Sequence, residues 1–170
     1  MKKLFLILVL LTAFMASATA QATGYVNTET ILSNIPEYIQ AQQQLERLKS
    51  QYEVQIEREV ATIENLFKKY QSEKSMLNDL QRQSRENEII TKERAVKERQ
   101  AEIFGQDGLM STRSKQLLDP IKNIVQGAID IVAKESGVVI VFDLASVQGV
   151  IFTDPRGDLT PRVLNKLGIK

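Results

Sequence analysis

The fold of this chain is decided by residues 37–104, which read EYIQAQQQLERLKSQYEVQIEREVATIENLFKKYQSEKSMLNDLQRQSRENEIITKERAVKERQAEIF. These 68 residues include neither glycine nor proline. Helices of globular proteins average about three turns, so this stretch predicts something longer than an ordinary core helix. Folded back on itself, it would form two arms of about 50 Å each, because an α-helix rises 1.5 Å per residue. The sequence therefore predicts a long antiparallel helical hairpin that protrudes from the rest of the chain.

An apolar stripe marks the outgoing arm. Its members follow one another at intervals of three or four residues, which is the spacing of one helix face. They are Tyr38, Ala41, Leu45, Leu48, Tyr52, Ile56, Val60, Ile63, Phe67 and Tyr70. Because successive four-residue steps form a stutter, we expect a coiled-coil-like helix rather than a uniform heptad rod.

The chain reversal is predicted between Asn78 and Ser84. The pair Asn78–Asp79 has the poorest helix propensity in the stretch, and residues 81–88 are all polar. No glycine or proline marks the turn, so the prediction of its position is based on these two observations alone.

The returning arm carries an apolar residue at every seventh position. The series is Ile89, Val96, Ile103, Met110, Leu117, Ile124 and Ile131. Its phase is kept across Gly105, Gly108 and Pro120, which favours one long, kinked helix. The alternative is a break in which Asp119 is the N-cap and Pro120 is the first helical residue.

The remainder of the chain predicts a small β-rich body. Short strands are expected at residues 24–27, 138–142 and 150–153, and a final helix is expected from Thr160. The run at 138–142 is continuously apolar, which is typical of a strand buried on both faces. The predicted fold class is α+β, mostly α, with a discontinuous body domain (21–36 and 105–170) and a hairpin domain (37–104).

Such a small sheet is marginal alone, and its apolar edges favour pairing with other copies of the chain. We therefore expect the body to form oligomers. The candidate oligomerisation residues are Val26, Val139, Val141, Phe142, Ile151 and Phe152.

The first 20 residues predict a secretory signal peptide. Lys2 and Lys3 precede the apolar run 4–11, and Ala18-Thr19-Ala20 has the small-residue pattern of a cleavage site. The alternative, an uncleaved membrane anchor, fits less well because the apolar run is shorter than the roughly 20 residues that span a bilayer. Cleavage after Ala20 would export the mature chain.

Composition argues against several classes of function. The chain has no histidine and no cysteine, which removes the common zinc ligands and the usual nucleophile–base pairs. Without Lys2 and Lys3 it carries 20 basic and 21 acidic residues, so nothing favours nucleic-acid binding. We expect no cofactor, no metal site and no enzymatic activity. Asp143, Asp154 and Asp158 form the only carboxylate grouping worth considering, and turn or cap roles explain Asp154 and Asp158 more simply.

Several segments together resemble the OmpH/Skp family of periplasmic chaperones. They are GYVNTETILSNIPEY at 24–38, FGQDGLMSTR at 104–113, LLDPIKNIVQGAIDIVAKESG at 117–137, VVIVFD at 138–143 and TDPRGDLTPRVLNKLG at 153–168. The resemblance covers essentially the whole mature chain. It implies a homotrimer in which three helical hairpins surround a cavity, where unfolded outer-membrane proteins are held in the periplasm without ATP.

The charge of this chain departs from the family pattern. The best-known members are strongly basic, whereas the mature chain here has a net charge of −1. Binding to membranes or lipopolysaccharide is therefore in doubt, and apolar contacts would have to contribute more to client capture.

A holdase of this kind needs exposed apolar side chains. The candidate client-binding residues are Leu66, Phe67, Tyr70, Met76, Leu77 and Leu80. Phe67, Tyr70 and Leu77 also fit a role in packing the two arms together, so Leu66, Met76 and Leu80 are the stronger candidates. The alternative function is a structural hairpin module of the cell envelope that reaches one fixed protein partner.

Overall fold

The computed structural model describes residues 22–169, so the predicted signal peptide lies outside the described residues. The chain divides into two compact units. We call residues 32–125 the hairpin unit, and residues 22–31 with 126–169 the body unit. Long helices with one small sheet confirm the α+β, mostly α, fold class.

The described residues form five α-helices, two strands and two short 3-10 helices. In chain order these are β1 (Thr23–Val26), α1 (Thr28–Ser33), α2 (Pro36–Glu73), a 3-10 helix (Lys74–Met76), α3 (Asp79–Phe104), α4 (Leu109–Ser136), β2 (Ile140–Asp143), a second 3-10 helix (Pro155–Gly157) and α5 (Thr160–Lys166). The predicted domain boundary at residue 105 coincides with the end of α3, whereas the hairpin unit continues to residue 125.

Helix α2 forms the outgoing arm and runs for 38 residues, or about 57 Å. Pro36 occupies its first turn, where a missing N–H costs nothing, and Ile35 before it is extended, as residues before proline prefer to be. The chain reverses at residues 74–78, slightly earlier than the sequence predicts. Asn78 then caps α3: its side chain accepts from the Gln81 amide at 2.9 Å, and the Gln81 side chain accepts from the Asn78 amide at 3.0 Å.

Two separate apolar clusters hold the arms of the hairpin unit together. The first has Ile63, Tyr70, Ile89 and Val96 at its centre, with Ile56, Leu66 and Leu77 packed against it. The second has Ala41, Leu45 and Leu118 at its centre, with Tyr38, Met110, Leu117 and Ile121 around them. These contacts confirm that the predicted stripe of the outgoing arm faces the returning arm.

The returning arm breaks at the two glycines, and the prediction of one continuous helix is wrong there. Helix α3 ends at Phe104 and α4 begins at Leu109. Pro120, by contrast, lies inside α4, so the predicted alternative of a break at Asp119 is also wrong.

This break changes which residues of the seven-residue series are buried. Before it, Ile89, Val96 and Ile103 are buried as expected. After it, Leu118, Val125 and Val132 are buried instead, each one residue later than the predicted series. Consequently Ile124 is 64% exposed and Ile131 is also exposed.

The body unit is built around a two-stranded parallel sheet. Thr23 pairs with Ile140 and Val26 with Asp143, and the Leu144 amide extends the ladder by donating to the Val26 carbonyl at 2.8 Å. The most deeply buried side chains of the unit are Val26, Ile31, Val132 and Val163. The final helix is confirmed, with Val163 fully buried.

Two predictions about the strands are wrong. Residues 150–153 form no strand, and they pair with neither β1 nor β2. The apolar run at 138–142 is not buried on both faces: Val139, Ile140 and Phe142 are exposed. Within residues 22–169 only β1 pairs with β2, so the other edge of β2 has no partner.

None of the helices within residues 22–169 is both long and apolar enough to cross a membrane.

Candidate functional site

The two arms are joined near the turn by polar contacts as well as apolar ones. The Tyr70 hydroxyl donates to the Glu86 carboxylate on the opposite arm, and the Lys74 ammonium lies 5.6 Å from the centre of the Tyr70 ring. This hydrogen bond to Glu86, together with desolvation, raises the pKa of Tyr70. Further along the arms, Arg99 pairs with Glu59. The Tyr70–Glu86 and Arg99–Glu59 contacts join the two arms, whereas the Lys74–Tyr70 contact lies within the outgoing side of the hairpin.

Several large apolar side chains near the turn remain exposed. Met76 and Leu80 are each 77% exposed, and Phe67 is 48% exposed. Met76 lies in the 3-10 helix of the reversal, and Leu80 lies in the first turn of α3. We call Phe67, Met76 and Leu80 the tip surface. Isolated exposed apolar residues are common, but three on one end of a hairpin form a candidate contact surface.

A groove between the arms adjoins the tip surface through Phe67. It has a volume of about 490 Å³, and we call it the apolar groove. Its lining residues are Val60, Ile63, Glu64, Phe67, Lys68, Glu93, Val96, Lys97 and Gln100. The two glutamates and two lysines balance one another, so the groove offers apolar contact without a net charge.

The six predicted client-binding residues fall into three groups. Phe67, Met76 and Leu80 are exposed. Leu66 and Leu77 are partly buried against the apolar cluster of the arms. Tyr70 is only 4% exposed, so in this structure its ring packs the hairpin and is not available to a client.

Val60 and Ile90 are among the exposed apolar side chains of the arms that the sequence did not indicate as candidate contacts. Val60 belongs to the predicted stripe, yet it lines the open groove and is exposed. Ile90 is also exposed. Its sequence position carries a signal, because it follows Ile89 directly and therefore cannot share the buried helix face.

A second exposed apolar surface lies in the body unit. Ile151 is 99% exposed and Phe152 is 81% exposed, and Val139 and Phe142 are exposed as well. Val141 is partly buried. We call these five residues the body surface. Val26, the remaining predicted oligomerisation residue, is a core residue with 2% exposure.

The three carboxylates considered for catalysis each have a structural partner. Asp154 accepts from the Arg156 amide at 3.0 Å and pairs with its guanidinium, and these hydrogen bonds lower the pKa of Asp154. Asp158 accepts from the Thr160 amide at 2.8 Å, at the start of α5. Asp143 accepts from Thr28, Ala145 and Ser146. The predicted turn role of Asp154 is confirmed. The predicted cap role of Asp158 is wrong, because the N-cap residue of α5 is Leu159 and Asp158, one position earlier, makes a turn bond to the Thr160 amide.

Comparisons with known proteins identify the family of this fold. The family described as "Outer membrane protein (OmpH-like)" matches residues 22–167. A crystal structure of a candidate outer membrane chaperone (OmpH-like) from Caulobacter crescentus superposes with a TM-score of 0.66 at 12% sequence identity. The match covers 89% of this chain and 86% of that chain. Among curated proteins, no sequence matches.

Proposed function

Because the chain belongs to the OmpH-like family of outer membrane proteins, we propose that it is a periplasmic chaperone of the holdase type. In this proposal, it binds unfolded outer-membrane β-barrel proteins without using ATP and prevents their aggregation. The predicted signal peptide and the description of the Caulobacter crescentus relative as a candidate outer membrane chaperone support this assignment.

The observation that carries the proposal is the exposure of the tip surface. Met76 and Leu80 are each 77% exposed, although both are large and apolar. Val60 and Ile90 extend the exposed apolar contacts along the arms, beyond the tip surface. Contacts spread in this way suit many different unfolded segments better than one specific ligand. Methionine is well suited to such contacts because its side chain is flexible and polarizable.

A holdase acts by binding the unfolded state. Ligands that bind only the unfolded state lower its free concentration, so aggregation slows. Many weak apolar contacts are sufficient, and no catalytic group or cofactor is needed. The near-neutral charge of the mature chain leaves apolar contact as the main attraction, and it gives membranes or lipopolysaccharide little to bind.

Oligomerisation through the body surface completes the proposal. Four of its five residues provide exposed apolar area, and the second edge of β2 is free to pair with another chain. The family resemblance implies three copies, whose hairpins would enclose a cavity for the client.

Substitution of the tip surface tests the holdase function. We expect the triple variant Phe67→Ser, Met76→Ser, Leu80→Ser of residues 21–170 to suppress the aggregation of a diluted, urea-unfolded outer-membrane β-barrel protein poorly. The concentration needed for half-suppression should rise about tenfold, because loss of apolar burial worth about 1.4 kcal/mol changes an affinity by that factor. Light scattering of the client measures it.

A matched control removes exposed apolar side chains elsewhere on the hairpin unit. The triple variant Ile39→Ser, Val54→Ser, Ile124→Ser changes three exposed residues outside the tip surface. It should leave the half-suppression concentration within about twofold. Equal losses in both variants, or undiminished suppression by the tip variant with an unchanged circular dichroism spectrum, would contradict the proposed surface.

The second candidate function is an envelope module with one fixed partner. The clustering of Met76 and Leu80 at the turn favours it, because a specific partner would need a defined apolar patch there. The exposure of Val60 and Ile90, further along the arms, favours the holdase instead. A pulldown from envelope extracts distinguishes them: one stoichiometric partner indicates the module, and many β-barrel proteins indicate the holdase.

A further inference from the structure

A second groove of the hairpin unit differs from the apolar groove in its charge. It lies between α2 and the first two turns of α4 and has a volume of about 580 Å³. We call it the arginine groove. Its lining residues are Gln44, Arg47, Leu48, Gln51, Tyr52, Leu109, Thr112, Arg113 and Gln116.

Two arginines line this groove and no carboxylate does. Asp107, two residues before Leu109, is not a lining residue. Within residues 22–169, neither Arg47 nor Arg113 has a carboxylate within ion-pair distance; Arg113 donates only to the Gln116 side-chain oxygen, at 3.2 Å. Most of the other arginines are paired with acids, namely Arg82, Arg85, Arg99, Arg156 and Arg162. A chain of nearly neutral charge therefore concentrates two uncompensated guanidinium groups in one groove.

The remaining lining groups indicate what could bind beside these charges. Guanidinium groups bind carboxylates in a bidentate, planar arrangement. The side chains of Gln44, Gln51 and Gln116 can donate to and accept from the peptide groups of an extended chain. Leu48, Tyr52 and Leu109 supply an apolar surface for a neighbouring side chain.

We propose that the arginine groove binds acidic segments of unfolded client chains, in which a carboxylate stands next to an apolar residue. This inference rests on the proposed holdase function and adds a selectivity to it. The apolar groove, with balanced glutamates and lysines, holds apolar segments without regard to charge, whereas the arginine groove favours those that carry Asp or Glu. A lipid phosphate would also meet the arginines, but an acyl chain offers the three glutamine side chains no hydrogen-bonding group, whereas the peptide groups of an extended chain do.

A pair of fluorescent peptides tests this selectivity. Both alternate valine with a polar residue, as a β-strand does; one carries Asp at the polar positions and the other carries Asn. The protein is residues 21–170, and fluorescence anisotropy gives the Kd of each peptide. We expect the Asp peptide to bind about tenfold more tightly than the Asn peptide, since one charge-assisted bidentate pair accounts for a difference of that size.

The double variant Arg47→Gln, Arg113→Gln should reduce this preference to less than about twofold, while its affinity for the Asn peptide stays unchanged. The chain offers a matched control. Arg58 and Arg94 also lack ion-pair partners among the described residues, and neither lines the groove. Arg58→Gln, Arg94→Gln removes the same charge from the hairpin and should keep the preference.

Each other outcome overturns the inference in a recognisable way. Equal loss of preference in both double variants would indicate general charge attraction rather than a groove. Equal binding of the two peptides by the wild-type chain would contradict the proposed role of the arginine groove but not the holdase function. Binding of neither peptide would contradict both proposals. If the groove variant keeps the Asp preference but no longer binds phosphatidylglycerol vesicles, the occupant is a lipid phosphate and the peptide assignment is wrong.

Discussion

Asp143 shows how one side chain can join three segments of the body unit. One of its carboxylate oxygens accepts from the amides of Thr28 at 3.1 Å and Ala145 at 3.0 Å. The other accepts from the hydroxyls of Thr28 at 2.7 Å and Ser146 at 2.9 Å. Asp143 ends β2 and Thr28 begins α1, so these bonds tie the end of the second strand to the first helix.

These hydrogen bonds make the stability of the body unit depend on pH. Desolvation raises the pKa of Asp143, but the hydrogen bonds from Thr28, Ser146 and Ala145 outweigh it, so the pKa lies below its ordinary value of 3.8. The stabilisation is therefore fully present above pH 3.8 and is lost as the pH falls through the lower pKa of the folded state.

We predict that Asp143→Asn lowers the free energy of unfolding by about 1–3 kcal/mol at neutral pH, because hydrogen bonds to a charged acceptor are lost. The difference from wild type should shrink as the pH falls below 3.8. Urea denaturation at a fixed protein concentration, monitored by circular dichroism, measures both. Asp130→Asn is the control and should change the free energy by less than about 0.5 kcal/mol, since Asp130 is an exposed surface residue. A loss that does not depend on pH would contradict the role of the charge.

Helix α3 ends at Phe104, and at the next residue, Gly105, the backbone lies close to the preceding turn of the helix. A Cβ atom on Gly105 would lie 2.3 Å from the Ala101 carbonyl oxygen, and one on Gly108 would lie 2.8 Å from the carbonyl oxygens of Glu102 and Ile103. Gly105 has a φ of −61°, which any residue can adopt, so the close contact and not the dihedral angle requires glycine here. The break thus depends on two small residues rather than on a proline.

We predict that Gly105→Ala lowers the free energy of unfolding by about 1–3 kcal/mol, because the backbone contact must open. Gly127→Ala is the matched control: apart from the backbone of its own helix, no heavy atom lies within 4 Å of the added methyl, and Gly127 is inside α4. The control should raise the free energy of unfolding by about 0.5–1 kcal/mol, as alanine favours the helix interior. Urea denaturation compares the two variants, and a Gly105→Ala chain as stable as wild type would show that the break does not need glycine.

Elements with a strong hydrophobic period could be predicted from the sequence, and elements that depend on distant partners could not. The apolar stripe of α2 predicts which face of the helix is buried, because apolar residues spaced three or four positions apart lie on one side of a helix. The phase shift after Gly105 is invisible in that pattern, since the apolar residues of both series, such as Leu117 and Leu118, are adjacent in the sequence. Residues 150–153 are apolar enough for a strand, but a strand needs a neighbour that the sequence does not reveal.

The sequence likewise predicts only some of the residues of the candidate site. Exposure of Met76 and Leu80 follows from their position beside the turn, outside the apolar stripe. Tyr70 is part of that stripe, and its burial decides between the two roles that its sequence position allowed. Nothing in the sequence indicates the arginine groove, because Arg47 and Arg113 are distant in the chain and line one groove only when the two arms pair.

At the scale of the whole molecule, the chain presents an exposed apolar surface in each of its two units. The tip surface belongs to the hairpin unit and the body surface belongs to the body unit. Under the holdase proposal the two have different roles, since one contacts clients and the other joins copies of the chain. Substitutions in one surface should therefore leave the role of the other intact.

The oligomeric state tests this division of roles. We predict that Ile151→Asp, Phe152→Asp weakens self-association of residues 21–170 by at least about tenfold, because burying a carboxylate at the centre of an apolar interface costs more than about 1.4 kcal/mol. Multi-angle light scattering should show the wild-type chain as an oligomer, of three copies as the family resemblance implies. On dilution, the double variant should dissociate at a higher concentration than the wild type. Val54→Asp places a charge on an exposed apolar residue of α2 and should leave the mass unchanged. A wild-type chain that is monomeric, or a double variant with the wild-type mass at every concentration, would show that Ile151 and Phe152 are exposed for another reason.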